Sequence, residues 1–364
     1  MRQKSAARTP TRTKGERDTM TLQTKQVVCA VASVVLGALT FKAVNDVSGP
    51  TFEPILAACT DTSFSTMAEF VERTGYHAYA PSMGLGVFNF LVCLITQFLL
   101  ELRTTYPEGV LVWGGIMTVA MTYSVMAGIE GGRSHGPLRY PMLMGLLGQL
   151  FGISVIIPLI WVPSYILYND SDGSSSAIPV PPMRSYLSVI LTIPNIVLAM
   201  IVFMADTNDD LWTVSAGILG GPLLVMSGAI FWLYPPLSAS AAAEASNEYR
   251  AACTQATQTA YRVAAGMAVV GYWFLVSIAY ATYGLQGAHL WDAVWTEANS
   301  SVAFMTIDTL VLYTSILSYV AYKDLNAAKK AFLLTPFIGP AAASFVLAEL
   351  EKTAVVPKVE TKQE

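Results

Sequence analysis

Charge is what this sequence has least of. Only 13% of its 364 residues are Asp, Glu, Lys or Arg, against 54% hydrophobic residues, and soluble domains carry about twice that charged share. A water-soluble globular enzyme is excluded on that ground alone. Histidine is scarce, three residues in all, and the four cysteines, Cys29, Cys59, Cys93 and Cys253, show no CxxC spacing. Neither a zinc site nor a disulfide scaffold is expected. A P-loop, a GxGxxG turn, an HExxH helix, histidine pairs spaced for haem and a DDxxD-type run for a magnesium-bound diphosphate are also missing. No metal, cofactor or nucleic-acid partner is therefore expected. The nearest acidic cluster, "DTNDD" at 206–210, could hold a cation, yet a short polar turn between two spans reads the same way without one.

Long apolar runs are what the chain has in abundance. Stretches near 20 residues lie at about 27–45, 80–100, 109–129, 142–162, 186–204, 213–234, 263–283 and 302–322, each long enough to cross a hydrocarbon core of about 30 Å as a helix. The expected fold is all-α: a polytopic integral membrane helix bundle of about eight transmembrane helices. Its single bundle domain covers 27–350, between a disordered basic tail at 1–26 and a polar tail at 351–364. A ninth run, "AFLLTPFIGPAAASFVLAEL", is broken by Pro336, Gly339 and Pro340, and leaves open a bent span, a re-entrant segment or an interfacial helix.

Orientation follows from the basic residues. Seven Lys or Arg precede the first span, which places the tail in the cytoplasm by the positive-inside rule. Glu16 and Asp18 argue against an organellar presequence. With no cleavable signal, the first span is expected to direct insertion into the endoplasmic reticulum. Odd spans then end on the lumenal face, and "KDLNAAKK", with Lys323, Lys329 and Lys330, returns to the cytoplasm. By that count "HAYAPS", "GIEGGRSHGPLRY", "MADTNDDLW" and "HLWDAVWTE" are lumenal, along with His77, His135 and His289. Asn299 opens an N-S-S sequon on the same side and is a candidate glycosylation site. Trp212, Tyr234, Tyr283, Trp291 and Trp295 read as interfacial anchors.

The last span, "SSVAFMTIDTLVLYTSILSYVAYK", carries Asp308 about two turns inside its start. A carboxylate at that depth costs roughly 3 kcal/mol on insertion scales, so it calls for a partner, a cavity or a function. At helical steps Ser301, Phe304, Asp308, Ser315, Tyr319 and Tyr322 share one side, with Leu310, Leu317 and Val320 on another, so the polar stripe is expected to face the bundle. Two readings stand: a buried Asp bonded to hydroxyls of a neighbouring helix that fixes packing, or an acid with chemistry to do. Further polar groups at depth are Gln149 in "GLLGQLFG", whose glycines allow close helix approach, and Asn195 after Pro194. Trp273 and Tyr280 share a face of the seventh span.

The segments "GRSHGPLRYPMLMGLLGQLFGISVIIPLIWVPSYI", "MTIDTLVLYTSILSYV" and "LLTPFIGPAAASFVLAELEK" resemble a family of fungal polytopic proteins encoded in secondary-metabolite clusters, the membrane-bound terpene cyclases of ascochlorin and ascofuranone biosynthesis. The resemblance runs from the fourth span to the C-terminus. It implies cyclisation of a farnesylated aromatic whose chain carries a terminal epoxide, in a meroterpenoid pathway that includes an epoxidase. Opening an epoxide needs an acid, and Asp308 suits that role; Glu130 and Asp206 at the lumenal mouth are the candidate bases. Phe304, Tyr319, Trp273 and Tyr280 would face the cation, with Gln149 and Asn195 as further contacts. No cofactor is needed. A proton-coupled or small-molecule transporter, with Asp308 as relay, is the competing reading, and a scaffold protein, which would tolerate Asp308→Asn, is the third.

Overall fold

In the computed structural model, residues 14–61, 63–74, 86–133, 136–168, 178–204, 228 and 232–353 are described. All regular structure among them is helical. The helices are α1 (Lys14–Thr60), α2 (Met67–Thr74), α3 (Gly86–Thr104), α4 (Glu108–Arg133), α5 (Pro141–Phe151), α6 (Ile153–Ile156), α7 (Val162–Tyr168), α8 (Pro182–Ile190), α9 (Thr192–Met204), α10 (Ala239–Glu244), α11 (Asn247–Tyr283), α12 (Gly287–Trp291), α13 (Ser300–Lys323), α14 (Leu325–Ile338) and α15 (Ala341–Thr353). Side-chain caps set several starts. Ser246 accepts from the Tyr249 amide, Asn299 from the Val302 amide, and Asp324 from the amides of Asn326 and Ala327. Each satisfies backbone donors that a helix start leaves orphaned.

Among the described residues, five helices are long and apolar enough to cross a membrane: 24–49 within α1, α4, the α8–α9 pair, α11 and α13. They contain five of the eight expected spans. The run at 213–234 lies largely outside the described residues. Of the remaining two, 80–100 is described only from residue 86, within the 19-residue α3, and 142–162 does not behave as a straight span.

The two ends of the bundle are named by their chemistry. At the basic end, Lys25 Nζ donates to the Tyr322 carbonyl at 2.8 Å. At the other, Cys59 of α1 is bonded to Cys93 of α3, a pairing the cysteine spacing did not reveal. α1 and α13 run antiparallel, because Phe52 meets Phe304 near the disulfide end, with ring centroids 6.1 Å apart. α4 runs parallel to α13. Asn299 bonds Thr105 just before both helices start, and Tyr319 and Lys323 meet Glu130 near where both end. α8–α9 runs the opposite way, from Arg184 on the Gly128 carbonyl to Arg103 on the Val202 carbonyl. α11 rises from Thr257 beside Ser185 to Tyr283 on the Glu108 carboxylate.

The direction of α4 overturns the expected side of the 128–140 segment. Glu130 stands at the basic end with Lys323, not at the mouth shared with Asp308. Two features account for it. α3 ends at the disulfide end, where Phe98, Glu101 and, just beyond it, Thr105 meet Phe304, Ser301 and Asn299 in turn, so α4 starts there. The run at 142–162 then turns back. α5 leads away from the basic end, Gly152 breaks the helix at φ +89°, and α6, a π-helical turn at Ile157–Trp161 and α7 return. Along this return Ser154 meets Asp308, Trp161 meets Tyr319, and Tyr165 meets Tyr322. The glycines of "GLLGQLFG" thus include a helix breaker, where only close approach was expected.

The Pro/Gly-broken C-terminal run resolves as a second hairpin. α14 leaves the basic end at Asp324 and reaches Gly339, whose φ is +59° and whose neighbour Pro336 accepts from Tyr272. α15 then returns, with Ser344 donating to Thr122 and Glu351 bound to Arg133. With 14 and 13 residues, the arms rise about 20 Å each, too short to cross a core of about 30 Å. Lys330 pairs with Glu349 across the hairpin's base at 2.7 Å. Ala264, Ala268, Ala341, Ala342 and Ala343 are all fully buried, and such small residues let helix backbones approach closely.

Candidate functional site

Asp308 lies on the buried face of α13, 5% exposed. The expected stripe holds: Ser301, Ser315, Tyr319 and Tyr322 are buried, Phe304 is half-buried, and Leu310 is exposed. Val320 departs from it, being fully buried. What Asp308 meets is the start of a broken helix. Gly152 has left the α5 helix, so the first amides of α6 lack partners within it. Ser154 offers Asp308 Oδ1 both its backbone N–H, at 3.3 Å, and its hydroxyl. A carboxyl group at a helix N-terminus is favoured by those free donors and by the helix dipole. Both bonds fall on Oδ1.

The surface is one layer away. A side chain placed on half-buried Gly152 would come 3.6 Å from Asp308 Oδ1 and 3.7 Å from the Phe304 ring. Phe304 packs edge-on to Phe98 at 5.5 Å between centroids, and Phe52 tilts against both. The site therefore pairs one acid with three phenyl rings.

A second polar centre lies at the basic end, 11 residues further along α13, or about 16 Å of helix rise. Glu130, fully buried, receives Tyr319 Oη at 2.6 Å, Lys323 Nζ at 2.7 Å and Arg133 Nη1 at 3.1 Å, all on Oε1. Arg133 binds Glu351 with both terminal nitrogens, at 2.8 and 2.5 Å. Aromatic rings enclose the charges. Trp161 stacks on Tyr165 at 5.9 Å, Tyr319 stands edge-on to both, and Lys323 Nζ lies 5.0 Å from the centre of the Tyr319 ring.

The predicted site residues divide accordingly. Asp308 and Phe304 are brought together. Glu130 and Tyr319 belong to the second centre, so Glu130 is not a base beside Asp308. Trp273 and Tyr280 are 50% and 61% exposed on the outer face of α11 and line no cavity with Asp308. Gln149 is exposed on α5, where depth was expected. Asn195 lies in α9, and its side chain, like all of Asp206, His77 and His135, is outside the described residues. The amide nitrogen of Asn299 donates to Thr105 at 2.6 Å and its oxygen caps α13. An apolar groove of about 320 Å³ does exist between α4, α11 and α13, lined by Leu111, Thr118, Tyr272, Leu275 and Thr309 among others, but by none of Phe304, Tyr319, Trp273 or Tyr280. No group of acidic, histidine or cysteine residues able to hold a metal occurs among the described residues.

Sequence reasoning missed Ser154, Arg133, Lys323 as an ion-pair partner, Glu351, Trp161 and Tyr165. One signal was there to use. Glu130 and Arg133 are three apart at the end of an apolar helix, the spacing of a helical ion pair. No family model matches the chain, and no curated protein or solved structure is found to match it.

Proposed function

We propose that the chain is a membrane-bound terpene cyclase of a meroterpenoid pathway, in which Asp308 is the general acid that opens the terminal epoxide of a farnesylated aromatic. The observation that carries this reading is the pairing of a buried acid with the Phe304, Phe98 and Phe52 rings one layer below Gly152. Ser154 engages Oδ1, and Oδ2 holds the proton that passes to the epoxide oxygen as the carbon–oxygen bond breaks. The chain's double bonds then close the rings, and the travelling positive charge is stabilised by the phenyl faces. Asp308, left as the carboxylate, is the base within reach for the final proton. A lipophilic substrate would reach Gly152 laterally from the bilayer, past the exposed Phe151.

The orientation proposed is basic end in the cytoplasm and disulfide end in the lumen of the endoplasmic reticulum. Two independent features support it: the basic tail, and a disulfide, which persists in an oxidising compartment.

The test is product analysis of microsomes expressing the chain or its Asp308→Asn variant, fed an epoxyfarnesyl phenol. A cyclic isomer made by the wild type and lost at least 100-fold in the variant is expected, general acid catalysis being worth about 10²–10⁴. Turnover by neither protein would sink the cyclase reading. The carrier reading would then take its place, favoured by the two discontinuous helical hairpins and the helix N-terminus directed at Asp308, and proton-driven uptake into proteoliposomes would test it.

A further inference from the structure

Three polar atoms of the Glu130 cluster accept or donate no hydrogen bond among the described residues: Glu130 Oε2, Arg133 Nε and the Tyr261 hydroxyl. Their side chains are at least nine-tenths buried, Glu130 and Tyr261 at 0% exposure and Arg133 at 7%. They share one neighbourhood: Arg133 is bonded to Glu130, and α11 runs antiparallel to α4 with Gly271 against Thr118, which brings Tyr261, ten residues earlier, level with the end of α4 that carries Glu130. Buried polar groups are almost always paired, so three orphans on one network point to an occupant.

The orphans also specify that occupant. Glu130 Oε2 only accepts, Arg133 Nε–H only donates, and a tyrosine hydroxyl does either. One oxygen that both donates and accepts would serve all three, and three partners is the usual coordination of a buried water. Its charge is constrained as well. Two carboxylates, Glu130 and Glu351, already balance two cations, Arg133 and Lys323, so a cation would meet Arg133 and Lys323, and an anion would meet Glu130 and Glu351. We propose that the Glu130 cluster is a binding site for a neutral hydroxyl oxygen, carried by an internal water or by a bound small molecule. This site is separate from Asp308 and does not rest on the cyclase reading.

The experiment is cryo-electron microscopy of the full chain in nanodiscs, at a resolution that shows ordered water, together with hydroxyl-radical footprinting in H₂¹⁸O. Density is expected at about 2.7–3.2 Å from Glu130 Oε2, Arg133 Nε and Tyr261 Oη. An isolated round feature, with ¹⁸O labelling of Tyr261 several-fold above that of fully buried Phe70, identifies water. An elongated feature without that labelling identifies the hydroxyl of a bound molecule. A map that resolves other internal waters but shows nothing here, with Glu130 Oε2 taking a donor from the protein, overturns the proposal.

Discussion

Ser154→Ala removes the hydroxyl bond to Asp308 and leaves one backbone donor on Oδ1. A bond to a charged or acidic group of this kind is worth about 1–3 kcal/mol. The variant is expected to unfold at lower temperature in detergent while keeping the fold; an unchanged midpoint would mean that the hydroxyl bond does not hold Asp308. Glu130 separates two roles in the same way. Glu130→Ala strands Lys323 and Arg133, and breaking a buried pair costs about 3–5 kcal/mol. It is expected to lower yield and thermal stability sharply. Glu130→Gln, which keeps the shape and accepts from Tyr319, should fold and, in the cyclase assay, keep product formation near wild type. A folded Glu130→Gln protein with no product would put Glu130 back in the reaction. The exposed stripe of α13 and the depth of Asp308 were legible, because helical spacing alone sorts one face from another. The partner of Asp308 was not: Ser154 is 154 residues away, and no local pattern encodes a contact at that separation.

The elements that hydropathy misjudges are the two hairpins. An apolar run of spanning length looks the same whether it crosses or folds back, and only the breaker decides. Pro336, Gly339 and Pro340 made the second break visible in the sequence, whereas Gly152 sat among other glycines that pack helices. Gly339 is the sharper test. An alanine there must adopt φ +59°, and its Cβ would lie 2.4 Å from the Tyr272 ring. Left-handed strain of about 1–2 kcal/mol and overpacking of about 1–3 kcal/mol add to roughly 2–5 kcal/mol. Gly339→Ala should therefore destabilise strongly in thermal unfolding, and Tyr272→Ala should recover the overpacking part but not the strain. Gly152→Ala meets only ordinary contacts, at 3.6 Å and beyond, so strain alone is its expected cost.

At the scale of the whole molecule, α4 is reversed against the expected topology while α8–α9, α11 and α13 keep their expected directions, because the α5–α7 segment turns back to the basic end. That is why counting basic residues at both ends of the chain could not detect the difference. Glycosylation acceptor sequons inserted near Gly287 and near Asn326 would measure it. The first is expected to be modified and the second not, while a sequon inserted at Gly136 stays unmodified with α4 as described and is modified if the sequence-based count was right. The cysteines agree with this polarity. Cys29 and Cys253 are free and lie toward the basic end, near Lys25 and Thr257, and the bonded pair lies at the other.

The hairpins also set an order of assembly. A chain emerging from the ribosome presents α5 and α6 long before α13 exists, yet the acid that caps α6 belongs to α13. Arg133 waits longer still, since its carboxylate partner Glu351 is 218 residues downstream. Neither hairpin arm is long enough to be threaded as an ordinary span, so the first must rest beside the translocation channel until most of the protein has been made.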